Sequence, residues 1–193
     1  MNNTSIVIVG VGGQGTLLTS RILGALAAEL DIPVKVSEVH GMAQRGGNVI
    51  THVRIGEGFH SPLVEPGGAD YLLAFEQLEA LRALPYLKPD GTLIANTQKI
   101  APMPVITGAA AYPEGIPEKL AAARRTALLD ALALAREAGD ARAVNLVLLG
   151  ALCRLTGTDR ALWRKAVEAS VPEKSLAINL AAFEQGYEEG SPA

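Results

Sequence analysis

The stretch Ser5-Ile6-Val7-Ile8-Val9-Gly10-Val11-Gly12-Gly13-Gln14-Gly15 decides how the rest of the chain is read. Its first half is a short apolar run, the signature of a strand buried on both faces. Four glycines then fall within six positions, and Leu17, Leu18, Ile22, Leu23 and Leu26 follow at helical spacing. Strand, tight glycine turn and helix are the context that G-x-G-x-x-G requires, and the glycines at 10, 12 and 15 fit it. Gly10 permits the turn, Gly12 lets a ligand approach the backbone, and Gly15 lets helix and strand pack closely. The helix would open on unpaired N–H groups and a positive dipole end, where a phosphate or carboxylate fits. Packing between strand and helix would explain the same glycines, and both readings stand at this point.

Working outward, the composition sets limits. With 193 residues, 49% hydrophobic and 19% charged, the chain reads as one globular domain with a sizeable core. Aromatics are only 4%, so that core is aliphatic. A net charge of −3 gives no reason to expect a nucleic-acid or anionic-membrane partner. One cysteine, Cys153, excludes an internal disulfide framework and any four-cysteine metal or iron–sulfur site built from this chain alone. It sits in an apolar run and reads as a buried, inert thiol. The start lacks a basic n-region, and the apolar run 143–152, interrupted by Asn145, is too short to span a bilayer. The expectation is a cytoplasmic protein.

Taken in order, strand one covers 5–10 and a helix covers 14–30, ended by Ile32-Pro33. Residues 34–39 alternate and predict strand two. Glu38 lies near where a dinucleotide-binding fold places the acid for a ribose hydroxyl. Next comes His40-Gly41-Met42-Ala43-Gln44-Arg45-Gly46-Gly47, dense in hydrogen-bonding groups. Arg45 beside Gly46-Gly47 offers a fork donor next to exposed backbone N–H groups, suited to phosphate or carboxylate. Holding the loop or a subunit contact is the alternative. In an ordinary dehydrogenase the second strand leads into a helix; here it leads into this loop, which weakens a nicotinamide-cofactor reading.

Residues 48–55 alternate as a strand, with His52 and Arg54 opposite in face to Val53 and Ile55. Gly56-Glu57-Gly58 predicts a hairpin turn with Phe59-His60-Ser61-Pro62 as its return. Residues 71–75 predict a buried strand with Glu76 at its C-terminal end, where open α/β sheets place ligand-contacting groups. A short helix over 77–84, a turn at 88–91 and a strand over 92–96 follow. The proline-rich 97–117 stretch contains a short expected strand at 104–107, and 117–124 reads as helix. Propensity favours one helix from Thr126 to Ala138; the alternating topology favours a strand at 126–130 and then a helix, and is preferred. Helices over 143–155, 159–169 and 173–188 close the chain, with Trp163 packing helix to helix. The expected fold is α/β: a Rossmann-like, doubly wound, mostly parallel sheet over 1–140, with a hairpin insertion and a C-terminal helical segment over 141–190. No G-x-S-x-G turn, no P-loop lysine and no histidine pair at metal-ligand spacing appear.

Three segments together resemble one family: Gly-Val-Gly-Gly-Gln-Gly at 10–15, Ser-Glu-Val-His-Gly-Met-Ala-Gln-Arg-Gly-Gly at 37–47, and His-Val-Arg-Ile-Gly at 52–56. They are similar to the gamma domain of the 2-oxoacid:ferredoxin oxidoreductases, and within it to the small beta subunits of the indolepyruvate enzymes. Gly-Ala-Asp at 68–70, Tyr-Leu-Lys-Pro-Asp-Gly at 86–91, Asn-Leu-Val-Leu-Leu-Gly-Ala at 145–151 and Val-Pro-Glu-Lys at 171–174 extend the likeness along nearly the whole chain. Ala43 stands where many relatives have serine, and Gln77 where proline is frequent. The resemblance implies oxidative decarboxylation of an aryl-2-oxoacid to acyl-CoA and CO2, with reduction of ferredoxin. It implies thiamine diphosphate and 4Fe–4S clusters on a large alpha subunit, coenzyme A as co-substrate, and a small subunit inactive alone. No Gly-Asp-Gly thiamine signature occurs in this chain. The candidates for substrate, coenzyme A or anion contact are Gly12, Gly13, Gln14, Gly15, Glu38, His40, Gln44, Arg45, Gly46 and Gly47; no residue is singled out as catalytic and none as a metal ligand. Two other readings remain: a stand-alone nucleotide-binding oxidoreductase using Glu38, and a purely structural interaction subunit.

Overall fold

The computed structural model describes residues 3–40 and 47–191. Among them the chain forms a six-stranded sheet. Its strands are β1 (Thr4–Val11), β2 (Val34–His40), β3 (Asn48–Ile55), β4 (Ala69–Ala74), β5 (Leu87–Asn96) and β6 (Arg125–Leu129). Their order across the sheet is β2-β3-β1-β4-β5-β6. The pairs β1–β4, β4–β5 and β5–β6 are parallel, while β3 runs antiparallel to both β1 and β2. The strand at 126–130 that topology favoured over propensity is present as β6, and a helix follows it.

The antiparallel hairpin is β2–β3, one element earlier than the sequence suggests. The expected return at 59–62 is not a strand. Gly56 and Gly58 do turn the chain at positive φ, but the following segment lies across the β3 face as a strap. Arg54 stacks over Phe59 at 4.8 Å, and the Val64 N–H donates to His52 Nδ1 at 3.3 Å. His52 is buried, and its ring meets Tyr86 edge-on at 5.7 Å. The reason is geometric: β1 already occupies the far side of β3, so a third antiparallel strand has no edge to join. The short strand expected at 104–107 is also corrected, because Met103–Ile106 is a single helical turn (α3). Pro104 near its start has no N–H to lose there, and its fixed φ suits a first turn. The 88–91 turn survives as an irregularity: Leu87 pairs with Ala69 and Thr92 with Tyr71, so the residues between bulge out of register.

Helices cover both faces. Alternation along the strands sends Ile6, Ile8, Leu73 and Ile94 to one side and Val7, Val9, Leu72 and Leu93 to the other. The first face is covered by α1 (Thr16–Glu29), α5 (Ala131–Glu137), α6 (Val144–Thr156), α7 (Arg160–Ser170) and α8 (Glu173–Glu189). The second is covered by α2 (Gln77–Ala83) and α4 (Ile116–Ala123). Helix α6 is buried from Val144 to Cys153. That explains a run with no polar stripe: a helix apolar all round belongs inside. Each Leu or Val it buries contributes about 1.5–3 kcal/mol. Trp163 on α7 meets Phe183 on α8 at 6.3 Å between rings, the expected helix-to-helix contact. No described helix is long and apolar enough to cross a membrane.

Helices α6 and α8 cross at two glycines. A Cβ on Gly186 would lie 1.8 Å from the Val147 carbonyl oxygen, and one on Gly150 would lie 2.0 Å from that of Phe183. Backbone cannot yield as a side chain can, so Gly186→Ala should push the helices apart. The expected cost is at least about 2 kcal/mol, or about 4–8 °C in Tm for a chain of this size. Gly24→Ala is the control: it lies inside α1 with nothing within 4 Å of its Cβ position, and should gain about 0.5–1 kcal/mol. Thermal unfolding of both variants checks this; equal Tm values would refute the close-crossing argument.

His52 supplies a pH test. Burial, and then the Arg54 charge, hold its pKa below the ordinary 6.5. Its Nδ1 must stay unprotonated to accept from Val64. The unfolded chain therefore takes up the proton first as pH falls. Stability is undisturbed above about pH 6.5 and declines below it. His52→Gln should flatten the wild-type stability curve between roughly pH 5 and 7; parallel curves for the two proteins would contradict the assignment.

Candidate functional site

The glycine turn sits where β1 hands over to α1, at the carboxyl ends of the parallel strands. Gly13 (φ +99°) and Gly15 (φ +88°) take left-handed conformations that a side chain would strain. Gly15 is the N-cap of α1, and among the described residues no side chain caps that helix. The turn is held by Gln14. Its Oε1 accepts from the Val11 N–H at 2.7 Å, and its Nε2 donates to the Phe75 carbonyl at 3.1 Å. The two partners fix which end of the amide is which. Both ends of Gln14 are thus engaged within the chain. The Gly12 N–H donates to the Gly47 carbonyl at 2.9 Å, which joins the first glycine cluster to the end of the second.

The Phe75 carbonyl also accepts from Asn96 Nδ2 at 3.1 Å. Asn96 is fully buried, and its Oδ1 accepts from the Ala131 N–H at 3.2 Å, where α5 begins. Next in the chain, Glu76 is 1% exposed and caps α2 by accepting from the Glu79 N–H at 2.9 Å. Its Oε1 also accepts from the Ile100 N–H at 3.1 Å and the Tyr112 hydroxyl at 2.5 Å. Burial, and then this bond, push the Tyr112 pKa well above its usual value, so the phenol stays a donor. Glu76 is therefore a clamp on the loop between β5 and α4, not a group presented to a ligand as its place in the sequence suggested.

Glu38 lies elsewhere. It faces Thr51 on β3, which faces Ile8 on β1. It is thus two strands from the glycine turn and level with the middle of β1. Its Oε1 accepts from Ser20 Oγ of α1 at 2.7 Å. His40 ends β2 opposite Val49; its side chain and Gln44, Arg45 and Gly46 lie outside the described residues.

A cleft of about 390 Å3 opens beside the turn, within the range of small-molecule sites. Gly13, Gln14 and Gly15 form one wall; Gln98 and Ile100, just past β5, form another; Leu132, Ala141, Arg142, Val144 and Asn145 close it from α5 and α6. Leu18 lies at its base near the start of α1. The lining is mainly apolar with a few convergent donors. Arg142 is ion-paired with Asp140 at 2.6 Å and largely exposed at the rim. The sequence reading named the glycine wall and missed Gln98, Arg142 and Asn145. A signal for Asn145 existed: it is the polar residue interrupting the apolar run 143–152. Among the described residues no three His, Cys, Asp or Glu side chains stand together to hold a metal ion. Cys153 is fully buried and its thiol is pushed up to about 12 by that burial.

A doubly wound sheet with an antiparallel strand beside β1 and an open cleft at the glycine turn defines a Rossmann-like domain. The chain belongs to the pyruvate ferredoxin/flavodoxin oxidoreductase family, whose model matches residues 5–189. It is 41% identical to indolepyruvate oxidoreductase subunit IorB of Thermococcus kodakarensis, over 96% of this chain and 95% of that protein. It is 40% identical to the IorB subunit of Pyrococcus horikoshii over the same shares. Its structure is similar to that of the gamma subunit of a keto/oxoacid ferredoxin oxidoreductase from Geobacter sulfurreducens. The TM-score is 0.73 at 26% identity, with 97% of this chain and 98% of that one covered. The family expected from the motifs at 10–15, 37–47 and 52–56 is the family found, and its relatives are subunits of oxidoreductases.

Gln14→Leu tests the turn. It leaves the Val11 N–H and one bond of the Phe75 carbonyl unmet, at about 1–3 kcal/mol for each unsatisfied group. Urea unfolding should show a loss of about 2–4 kcal/mol. A loss below about 0.5 kcal/mol would mean that the glycines alone hold the turn.

Proposed function

We infer that this chain is the small subunit of an aryl-2-oxoacid ferredoxin oxidoreductase, with indolepyruvate as its 2-oxoacid. The complete enzyme would convert the 2-oxoacid and coenzyme A to acyl-CoA and CO2 while reducing ferredoxin. The observation that carries this is the near full-length identity to two IorB subunits. In this reading residues 1–193 act as one gamma-type domain in the cytoplasm, with the sheet core in 1–140 and the helical segment in 141–190.

The donor set bears on where the cofactors sit. A 4Fe–4S cluster needs four thiolates, and the chain has one cysteine, buried among α6 and its neighbours. The residues of this chain do not fit a resident cluster. Thiamine diphosphate and the clusters are accordingly assigned to a large alpha subunit, and ferredoxin meets the chain only through the complex. Carbanion stabilisation and one-electron transfer are chemistry that such cofactors supply. What this chain contributes is the cleft beside Gly13, Gln14 and Gly15, proposed to face the partner and receive part of coenzyme A. Gly47 would add a backbone donor, whereas the Gly12 N–H is already given to the Gly47 carbonyl; His40, Gln44, Arg45 and Gly46 stay candidates on the sequence motif alone. Glu38 is the weakest of the candidates, since Ser20 already engages it.

Reconstitution decides the matter. The chain and its large partner are assayed apart and together for 2-oxoacid- and coenzyme A-dependent reduction of ferredoxin. Turnover is expected only from the pair, with kcat/KM for indolepyruvate more than about tenfold above that for pyruvate. Turnover by the isolated chain with NAD or NADP would overturn the reading in favour of a stand-alone oxidoreductase.

A further inference from the structure

Asn145 is the second residue of α6 and is 2% exposed. Its side-chain amide makes no hydrogen bond within the chain and lines the cleft beside the glycine turn. The nearest point of that turn is Gly15, where a Cβ would lie 3.3 Å from Asn145 Nδ2. Buried polar groups are nearly always paired. Val144 and Leu146 on either side of it are buried apolar residues. Neither of its polar atoms is among the described side-chain atoms sealed from solvent without a partner; the amide opens on the cleft and takes its partner from there. The start of α1 faces the same cleft, and it too lacks a cap: Gly15 has no side chain, and the first turn holds no acidic residue. Its leading N–H groups have no intrahelical acceptor. Two independent sets of unmet donors therefore converge on one space. Gln98 also lines the cleft, its Oε1 accepting from Asn96 Nδ2 at 3.3 Å, and Arg142 at the rim uses Nε and Nη2 on Asp140.

We propose that the cleft between the α1 N-terminus and α6 holds an oxyanion, and that Asn145 is the side chain that binds it. The oxyanion is a phosphate of coenzyme A or the carboxylate of the 2-oxoacid; both present acceptor oxygens and both suit a helix N-terminus. This deepens the coenzyme A reading of the cleft and rests on it. Asn145 sets KM for the substrate that brings the oxyanion and leaves the chemical step alone.

The test uses the assembled complex with Asn145→Asp and Asn145→Leu. Asp has the same shape, and its charge suits the first turn of α6, so the fold should hold. Its carboxylate repels an oxyanion, and KM should rise at least about tenfold for either coenzyme A or indolepyruvate. Leu removes one hydrogen bond, and the same KM should rise about two- to tenfold. In both variants kcat should stay within about twofold, since an interaction made equally in ground and transition states moves KM alone. The substrate whose KM moves identifies the oxyanion. Tm of the complex should be unchanged, or higher for Leu, because an unmet buried amide is replaced by an apolar group. Unchanged KM for both substrates in Asn145→Asp would overturn the proposal. So would a fall in Tm with a uniform loss of kcat in Asn145→Leu, the mark of a structural residue. If the wild-type complex turns over no 2-oxoacid, the functional reading falls separately. Equilibrium titration with coenzyme A, with inorganic pyrophosphate and with indolepyruvate then judges the cleft. Binding weakened about tenfold in Asn145→Asp sustains it; no binding to wild type, or equal binding to both proteins, overturns it.

Discussion

The Phe75 carbonyl, just past the end of β4, is the point on which the carboxyl edge of the sheet depends. It accepts from Gln14 on one side and Asn96 on the other. Gln14 carries the glycine turn and hence the start of α1. Asn96 carries the end of β5 and the start of α5. A strand end normally leaves its last carbonyl to water or to a loop. Here two side-chain amides bind it, so three crossovers that leave the sheet separately are held in one frame. The cleft exists because those crossovers diverge from a common anchor. Its glycine wall, the Gln98 wall and the α5–α6 wall each trace back to one of the two amides.

The second constraint is β3. In a dinucleotide-binding fold the strand after the first crossover lies beside β1, and its terminal acid reaches the ribose of a ligand at the glycine turn. Here β3 fills that place, antiparallel, and displaces β2 by one strand, about 4.8 Å. Glu38 moves with it and ends level with Ile8, against Ser20. The glycine turn and Glu38 therefore do not share one site. The stand-alone nucleotide reading relied on Gly10–Gly15 and Glu38 acting together, and the sheet order separates them.

This also explains which features were legible in the sequence. Period-2 and apolar-run signals located five of the six strands, because burial on one or both faces writes itself into local pattern. The helix Val144–Thr156, expected over 143–155, is visible for the same reason. The strand at 125–129 was not decided by propensity, since Ala and Leu there favour helix; only the alternation of strands and helices indicated it. What stayed hidden was pairing. Nothing local tells β3 to pair with β1, so the sequence alone puts the hairpin one step late, with 59–62 as its return segment. The site was half legible: its glycines form a contiguous motif, whereas Gln98, Arg142 and Asn145 come from two later segments that only the fold brings together.

Glu76 and Asn145 show why the sequence could not sort the remaining polar residues. Each sits where a helix begins at the rim of the same sheet, and each is almost completely buried. By position Glu76 looked the better ligand contact, because it follows a parallel strand directly. Its acceptors, however, are filled by Glu79, Ile100 and Tyr112. A side chain so satisfied stabilises the loop it holds and gains nothing from a ligand. Asn145 looked like an interruption in a core helix, yet it is the one left unmet beside an uncapped helix start. Burial is nearly the same for both. The difference lies in the hydrogen-bond balance, which is set by residues 3 to 36 positions away in one case and left open in the other.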